Sequence, residues 1–170
     1  MPYPEYLVAP MREELTRLGV RELRTAADVD AAMDEAQTGT TLAVVNSVCG
    51  CAAANARPAV ALVQPLDGPD RQVTVFAGQD LEATARLREH LAGIPPSSPF
   101  MVLIKDGDPV FVLERRHIEG RSSSAIAADL RDAYATYCGA DGAAAPATPG
   151  TPDAETARPE PVTSTFRSIL

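Results

Sequence analysis

The chain has 170 residues and carries 23 acidic against 15 basic side chains, a net charge of −8. That is enough length for one domain with a proper core and too little for a second independent one. Lys and Arg form no cluster, so nucleic acid and anionic membrane are poor partners; no run reaches the ~20 apolar residues of a membrane-spanning helix, and the N-terminus MPYPEYLVAPMREEL has no apolar leader region, so the expected location is the cytoplasm.

Val8, Met11, Leu15 and Leu18, spaced by three and four, predict a first helix over residues 8–18. A second helix is expected from Thr25 as N-cap through Val29 and Met33 to Gln37, ending before Gly39. TTLAVVNSV, rich in β-branched residues and flanked by turn formers, reads as a strand buried on both faces that ends at the cysteines. After Cys51 the run AAANA favours helix, with Pro58 inside it expected to kink the axis. QVTVFAG is a second strand, and Asp80 is expected to cap a helix whose Leu87, Leu91 and Ile94 share a face. FMVLIKDGDPVFVLE is two apolar runs around Asp106-Gly107, which predicts a hairpin. SSSAIAADLRDAYATYC supplies a serine cap and a stripe of Ile126, Leu130, Ala133, Tyr134 and Tyr137. An ordered domain over residues 1–138 is followed, over 139–170, by a Pro/Ala-rich tail too poor in apolar side chains to offset its ordering entropy, closing on FRSIL. A strand–helix–strand unit followed by a hairpin predicts an α/β fold with a central mixed sheet flanked by helices, the thioredoxin-like arrangement.

Three cysteines are too few for a disulfide scaffold, so the pair in VVNSVCGCAAANARPAV is read as reactive or metal-binding. In open α/β sheets reactive groups sit at the carboxyl ends of strands, where Cys49 falls with a helix following it. The first-turn N–H groups of that helix stabilise a thiolate, which makes Cys49 the better nucleophile and Cys51 the resolving thiol. A disulfide across the single Gly50 closes a tight ring, and strain there favours the reduced form; this suits donating or isomerising a disulfide, or removing a small thiol, more than strong reduction. Ser98-Pro99 is a candidate cis peptide on a loop facing the cysteines, where an extended strand end can bond a substrate backbone. Arg57 is a candidate for stabilising the thiolate or binding a substrate carboxylate, with an exposed helix charge as the alternative. Cys138 alone reads as a small packing residue. A metal clip of Cys49 and Cys51 with His90, His117 or Cys138 is the competing reading, but the usual signature is two spaced pairs and here there is one. The histidines read as surface groups.

The runs VVNSVCGCAAANARPAV, VTVFAGQDLEATARLREHL, PSSPFMVLI and the later IEGR resemble the bacilliredoxin family, thioredoxin-fold proteins with a C-G-C site, from about Tyr6 to Cys138. The resemblance implies a thiol-disulfide oxidoreductase that removes bacillithiol from S-bacillithiolated cytosolic proteins, with Cys49 taking the bacillithiol and Cys51 resolving it. It implies no cofactor beyond bacillithiol as co-substrate, and no metal; disulfide isomerase activity is the alternative within the fold. Pro99 matches the proline that precedes the central strand of such folds, and Cys138 a cysteine near the family's usual end. Ala54 stands where the family pattern has glycine, and the tail after Cys138 lies outside that pattern.

Overall fold

The computed structural model describes residues 2–139, so the expectations for the tail, its closing FRSIL included, fall outside the described residues apart from Gly139. The elements run α1 (Glu5–Thr16), β1 (Arg21–Glu22), α2 (Ala26–Glu35), β2 (Thr40–Asn46), a π-helical turn (Ala52–Ala56) continuing into α3 (Arg57–Val63), β3 (Arg71–Phe76), α4 (Leu81–His90), β4 (Phe100–Lys105), β5 (Asp108–Leu113), a short α5 (Arg115–Ile118) and α6 (Ser123–Tyr137). The sheet order is β1-β3-β2-β4-β5. β1, β3 and β2 run parallel, β4 lies antiparallel to β2, and β5 antiparallel to β4. This is the thioredoxin-like arrangement, with β2 at its centre.

Every residue of β2 is buried, because helices cover both sheet faces and alternate side chains enter different layers. Leu42 and Val44 join Met101, Leu103, Phe111 and Leu113 against α1, α3 and α6. Ala43 and Val45 join Val73, Val75, Phe100 and Val102 against α2 and α4. Thr25 caps α2 as expected, in a reciprocal capping box with Asp28. Ser122 caps α6, accepting from the Ala125 N–H at 3.1 Å. The hairpin turn is made by Asp106 and Gly107 at φ of 49° and 88°, the left-handed pair that a two-residue connection requires.

Several elements depart from the sequence reading. α1 begins at Glu5 rather than at residue 8, since Tyr6 and Leu7 in its first turn are exposed and leave no core signal in the apolar spacing. β1 went unread: two residues with charged side chains carry no periodicity, and the strand exists only through its pairing of Arg21 with Val73 and Glu22 with Thr74. α5 is a single turn after β5 and equally silent. Pro58 does not simply kink an α-helix. It has no N–H for the Ala54 carbonyl, and the chain ahead of it widens into the π-turn before regular α3 resumes.

Asp80 stands at the N-cap position of α4, but its side chain makes no capping bond. Its carboxylate is taken instead by Arg12 of α1, at 2.6 and 2.9 Å. The Arg12 guanidinium is 5% exposed, also holds Glu22 at 2.6 Å, and lies over the Phe76 ring 5.1 Å from its centroid. A buried charge of this kind is tolerated only with its partners in place, and removing one leaves the others desolvated and uncompensated. Arg12→Ala is therefore expected to destabilise the fold by about 3 kcal/mol. Urea unfolding followed by circular dichroism measures it; a loss below about 1 kcal/mol would mean that water repays the exposed carboxylates.

Candidate redox site

The site begins where β2 ends. Asn46 is 2% exposed, and its side chain fixes the turn on both sides: Oδ1 accepts from the Ser47 N–H at 2.8 Å and from Arg57 Nη1 at 3.1 Å, while Nδ2 donates to the Met11 carbonyl at 3.2 Å. Arg57 also donates to the Ser47 carbonyl at 3.1 Å and is neutralised by Glu14 of α1 at 2.7 Å. The expectation of Arg57 as an exposed charge or a substrate anchor is corrected here. It is 3% exposed, and its donors are spent on holding the turn. The reason is tertiary: α1 packs over α3 and brings a carboxylate to a position that helical spacing alone would leave open.

On that turn Cys49 and Cys51 are half-buried free thiols with sulfurs 2.7 Å apart. Cys49 Sγ also receives the Ser47 hydroxyl at 3.2 Å and the Ala52 N–H at 3.4 Å, and its carbonyl accepts from the N–H groups of Ala52 and Ala53, which opens the helix ahead of the π-turn. Burial pushes the Cys49 thiol up, but the hydrogen bonds from Cys51, Ser47 and Ala52 and the charge of Arg115 outweigh it and hold the pKa below the ordinary thiol value. Cys51 goes the other way, raised by burial and then by its bond to Cys49 and the charge there. Two neighbouring thiols are thus made unequal. Gly50 is not needed for this reduced geometry, since a Cβ there would meet nothing within 4 Å.

The Ser98–Pro99 peptide is cis. The pairing of Val45 with Phe100 puts Pro99 across from Asn46, at the same end of the sheet as the cysteines. Arg115 completes this end: its N–H donates to the Ser97 hydroxyl at 3.2 Å, which ties α5 to the proline loop, and its guanidinium faces Glu119 at 3.2 Å. Asn55 of the π-turn donates to the carbonyls of Ile118 and Arg121, joining the cysteine-bearing turn to α5. Arg115, Asn55, Asn46 and Ser47 went unread in the sequence. The one available signal was adjacency, for Asn46 and Ser47 directly precede the cysteine motif. Ala54, the departure from the family pattern, is exposed on the π-turn.

The remaining candidates lie elsewhere. Cys138 lies beside Thr40, whereas Cys49 and Cys51 follow Asn46, so about 20 Å of β2 separates the two ends. Burial, and after it nearby Asp70, raise the Cys138 thiol above the ordinary value. His90 pairs with Asp30 at 2.7 Å, and His117 Nδ1 accepts from the Glu114 N–H at 3.1 Å, its pKa lowered by burial and by Arg116. Among the described residues no three His, Cys, Asp or Glu side chains converge, so the competing metal clip finds no third ligand there. No helix among them is long and apolar enough to cross a membrane.

Residues 3–138 match a family model described as Disulphide isomerase. A bacilliredoxin from Salinibacter ruber is 59% identical over 99% of each chain. The chain belongs to the bacilliredoxin family. A bacilliredoxin from Bacillus licheniformis is 50% identical over 80% of this chain and 97% of its own, and one from Koribacter versatilis 48% identical over 84% and 98%. The Salinibacter alignment runs through the tail as well, so an extension after Cys138 is not peculiar to this member of the family. A thioredoxin from Fasciola hepatica, known by X-ray structure, aligns with a TM-score of 0.48 at 18% identity, covering 69% of this chain and 99% of that one. The fold is read from the strand order and pairing above. Membership and fold make this protein a thiol-disulfide oxidoreductase acting on thiol-containing proteins.

Because the two thiols share one proton at close range, they are expected to titrate in two separated steps, one below and one above the ordinary thiol value. Thiolate absorbance in the ultraviolet, read against pH, resolves them. Arg115→Gln should move the lower step upward, and 1 M salt should do the same to the unaltered protein, because Arg115 is exposed and screened. A single step of double amplitude would mean that the sulfurs do not interact.

Proposed function

We propose that Cys49-Gly50-Cys51 is the redox-active site and that the protein removes bacillithiol from S-bacillithiolated proteins of the cytoplasm. The observation that carries this reading is the inequality of the two thiols: Cys49 is favoured as the thiolate and Cys51, with its sulfur 2.7 Å away, keeps the proton. Only the thiolate attacks a disulfide. The family of bacilliredoxins, at 59% identity over nearly the whole chain, supports bacillithiol as the small thiol. Cys49 attacks the bacillithiol sulfur of the mixed disulfide and the client protein leaves as a thiolate. Cys51 then attacks Cys49 Sγ and expels bacillithiol, leaving an internal disulfide. No metal or organic cofactor enters; bacillithiol is the co-substrate. Ser98 and Pro99, on the loop across from the cysteines, take the client backbone.

Disulfide isomerisation is the second reading, favoured by the family model that carries that description over residues 3–138. It uses the same nucleophile and differs in the substrate: the attacked bond lies between two protein cysteines.

Cys51→Ser, incubated with a protein carrying a bacillithiol mixed disulfide, is expected to gain the mass of one bacillithiol at Cys49 and to retain it, because the resolving thiol is gone. Cys49→Ala should gain nothing. If Cys51→Ser stays unmodified while the unaltered protein rearranges scrambled disulfides, the isomerase reading replaces this one. Label on Cys51 in the Cys49→Ala variant would reverse the two roles.

A further inference from the structure

We propose that Ser47 is a catalytic residue of the exchange reaction: its hydroxyl donates to Cys49 Sγ and not to Cys51, and so favours Cys49 of the two adjacent sulfurs as the carrier of the attacking charge. The inference rests on Cys49 being the nucleophile, as assigned above.

The geometry is built for that contact. Ser47 is 6% exposed, and both its backbone polar groups are held, the N–H by Asn46 Oδ1 at 2.8 Å and the carbonyl by Arg57 Nη1 at 3.1 Å. With the peptide units fixed on either side, the hydroxyl has Cys49 Sγ at 3.2 Å as its partner. The charged and titratable groups around Cys49 are Cys51 on its own turn and Arg115 on α5. Behind Ser47 the charge of Arg57 is cancelled by Glu14 of α1. Of these, Arg115 acts on both sulfurs and cannot choose between them. Two groups directed at one sulfur can, the Ala52 N–H at 3.4 Å and the nearer Ser47 hydroxyl at 3.2 Å.

The proton stays on Ser47 throughout. When the Cys49 thiolate attacks, a bond forms from Cys49 Sγ to the small-thiol sulfur, the substrate S–S bond breaks, and the client sulfur leaves with the electron pair. In the second step Cys51 gives its proton to water, its sulfur bonds to Cys49 Sγ, and the small thiol leaves as a thiolate. The resulting disulfide is reopened by an external thiol reductant, whose attack on Cys51 Sγ expels Cys49 as a thiolate, again facing the Ser47 hydroxyl; a second reductant thiol then attacks the reductant sulfur of the mixed disulfide and releases Cys51, the reductant leaving as its own disulfide.

Removing the hydroxyl has two opposed effects. A hydrogen bond to a charged group is worth a factor on the order of ten, so Ser47→Ala should leave about tenfold fewer Cys49 thiolates below the titration midpoint. Each of these is roughly threefold more nucleophilic, because nucleophilicity rises with basicity with a slope of about 0.4–0.5. The rate at Cys49 should therefore fall about threefold well below the titration midpoint and rise about threefold on the high-pH plateau, so that the two profiles cross.

The test is pulse alkylation of the fully reduced protein with iodoacetamide from pH 5 to 10.5, with each cysteine read by fragment-ion mass spectrometry. Ser47→Ala is expected to cross the unaltered profile at Cys49, Ser47→Thr to follow the unaltered one, and Cys138, at the far end of β2, to keep one rate profile in all three. Superimposed Cys49 profiles for the unaltered protein and Ser47→Ala overturn the proposal. So does a Thr variant that tracks Ala, or a uniform change at Cys49 and Cys138 together, which marks loosened structure. If fast alkylation at low pH maps to Cys51 in the unaltered protein, the nucleophile assignment itself fails. If it maps to Cys49 but Ser47→Ala leaves it unmoved, only the role of Ser47 does.

Discussion

The guanidinium of Arg57 is the contact on which the site depends. It is buried at the start of α3, where an isolated cation would cost several kcal/mol in desolvation, and four bonds compensate it: two to Glu14 of α1, one to Asn46 at the end of β2 and one to the Ser47 carbonyl. Those partners lie on α1, at the end of β2 and on the turn that follows it. The arginine therefore fixes α1, β2 and α3 relative to one another and sets the path of the turn that carries both cysteines. Asn46 is its necessary companion, since an arginine has only donors and the turn needs an acceptor facing it.

Given that turn, the electrostatics follow from a small number of directed groups. One hydroxyl, one backbone N–H and the neighbouring thiol converge on Cys49, while burial acts on both sulfurs alike. The helix that follows opens as a π-turn, whose Asn55 reaches across to α5. Pro58 makes the wide turn favourable by removing the donor that a regular helix would use. The asparagine that crosses to α5 stands about one turn beyond Cys51, and the proline that disturbs the helix about two. Irregular backbone is thus placed where it connects the cysteine-bearing turn to α5 in the same layer.

The arginine clamps do related work at two depths. Arg12 joins α1, β1 and the start of α4 around Phe76, and Arg57 joins α1 to the redox turn. Both use α1, which explains why an N-terminal helix with exposed Tyr6 and Leu7 matters to a site more than thirty residues away. Arg115 differs from both: it is exposed, paired with Glu119, and reaches the sulfurs only through its field. Its influence is the part of the site most open to salt and to an approaching client.

The sequence by itself determined β2, the hairpin, the two capped helices α2 and α6 and the position of the thiols, because these are written in local patterns: β-branched runs, Asp-Gly, Thr and Ser caps, and two cysteines around one glycine. The family was legible for the same reason, as its motifs are contiguous. Tertiary structure alone decided β1, α5, the diversion of Asp80 from cap to ion pair, and the conversion of Arg57 from an apparent surface charge into a buried clamp. Each of these depends on a partner far away in sequence, Val73 for Arg21, Arg12 for Asp80 and Glu14 for Arg57. A charged or polar side chain states what it can bond to, but not which element will arrive to bond with it. The inequality of Cys49 and Cys51 differs in that its directed partners, Ser47 and Ala52, lie within three residues of Cys49; what the fold adds is their orientation. The sequence made them neighbours, and the fold aimed the Ser47 hydroxyl at only one.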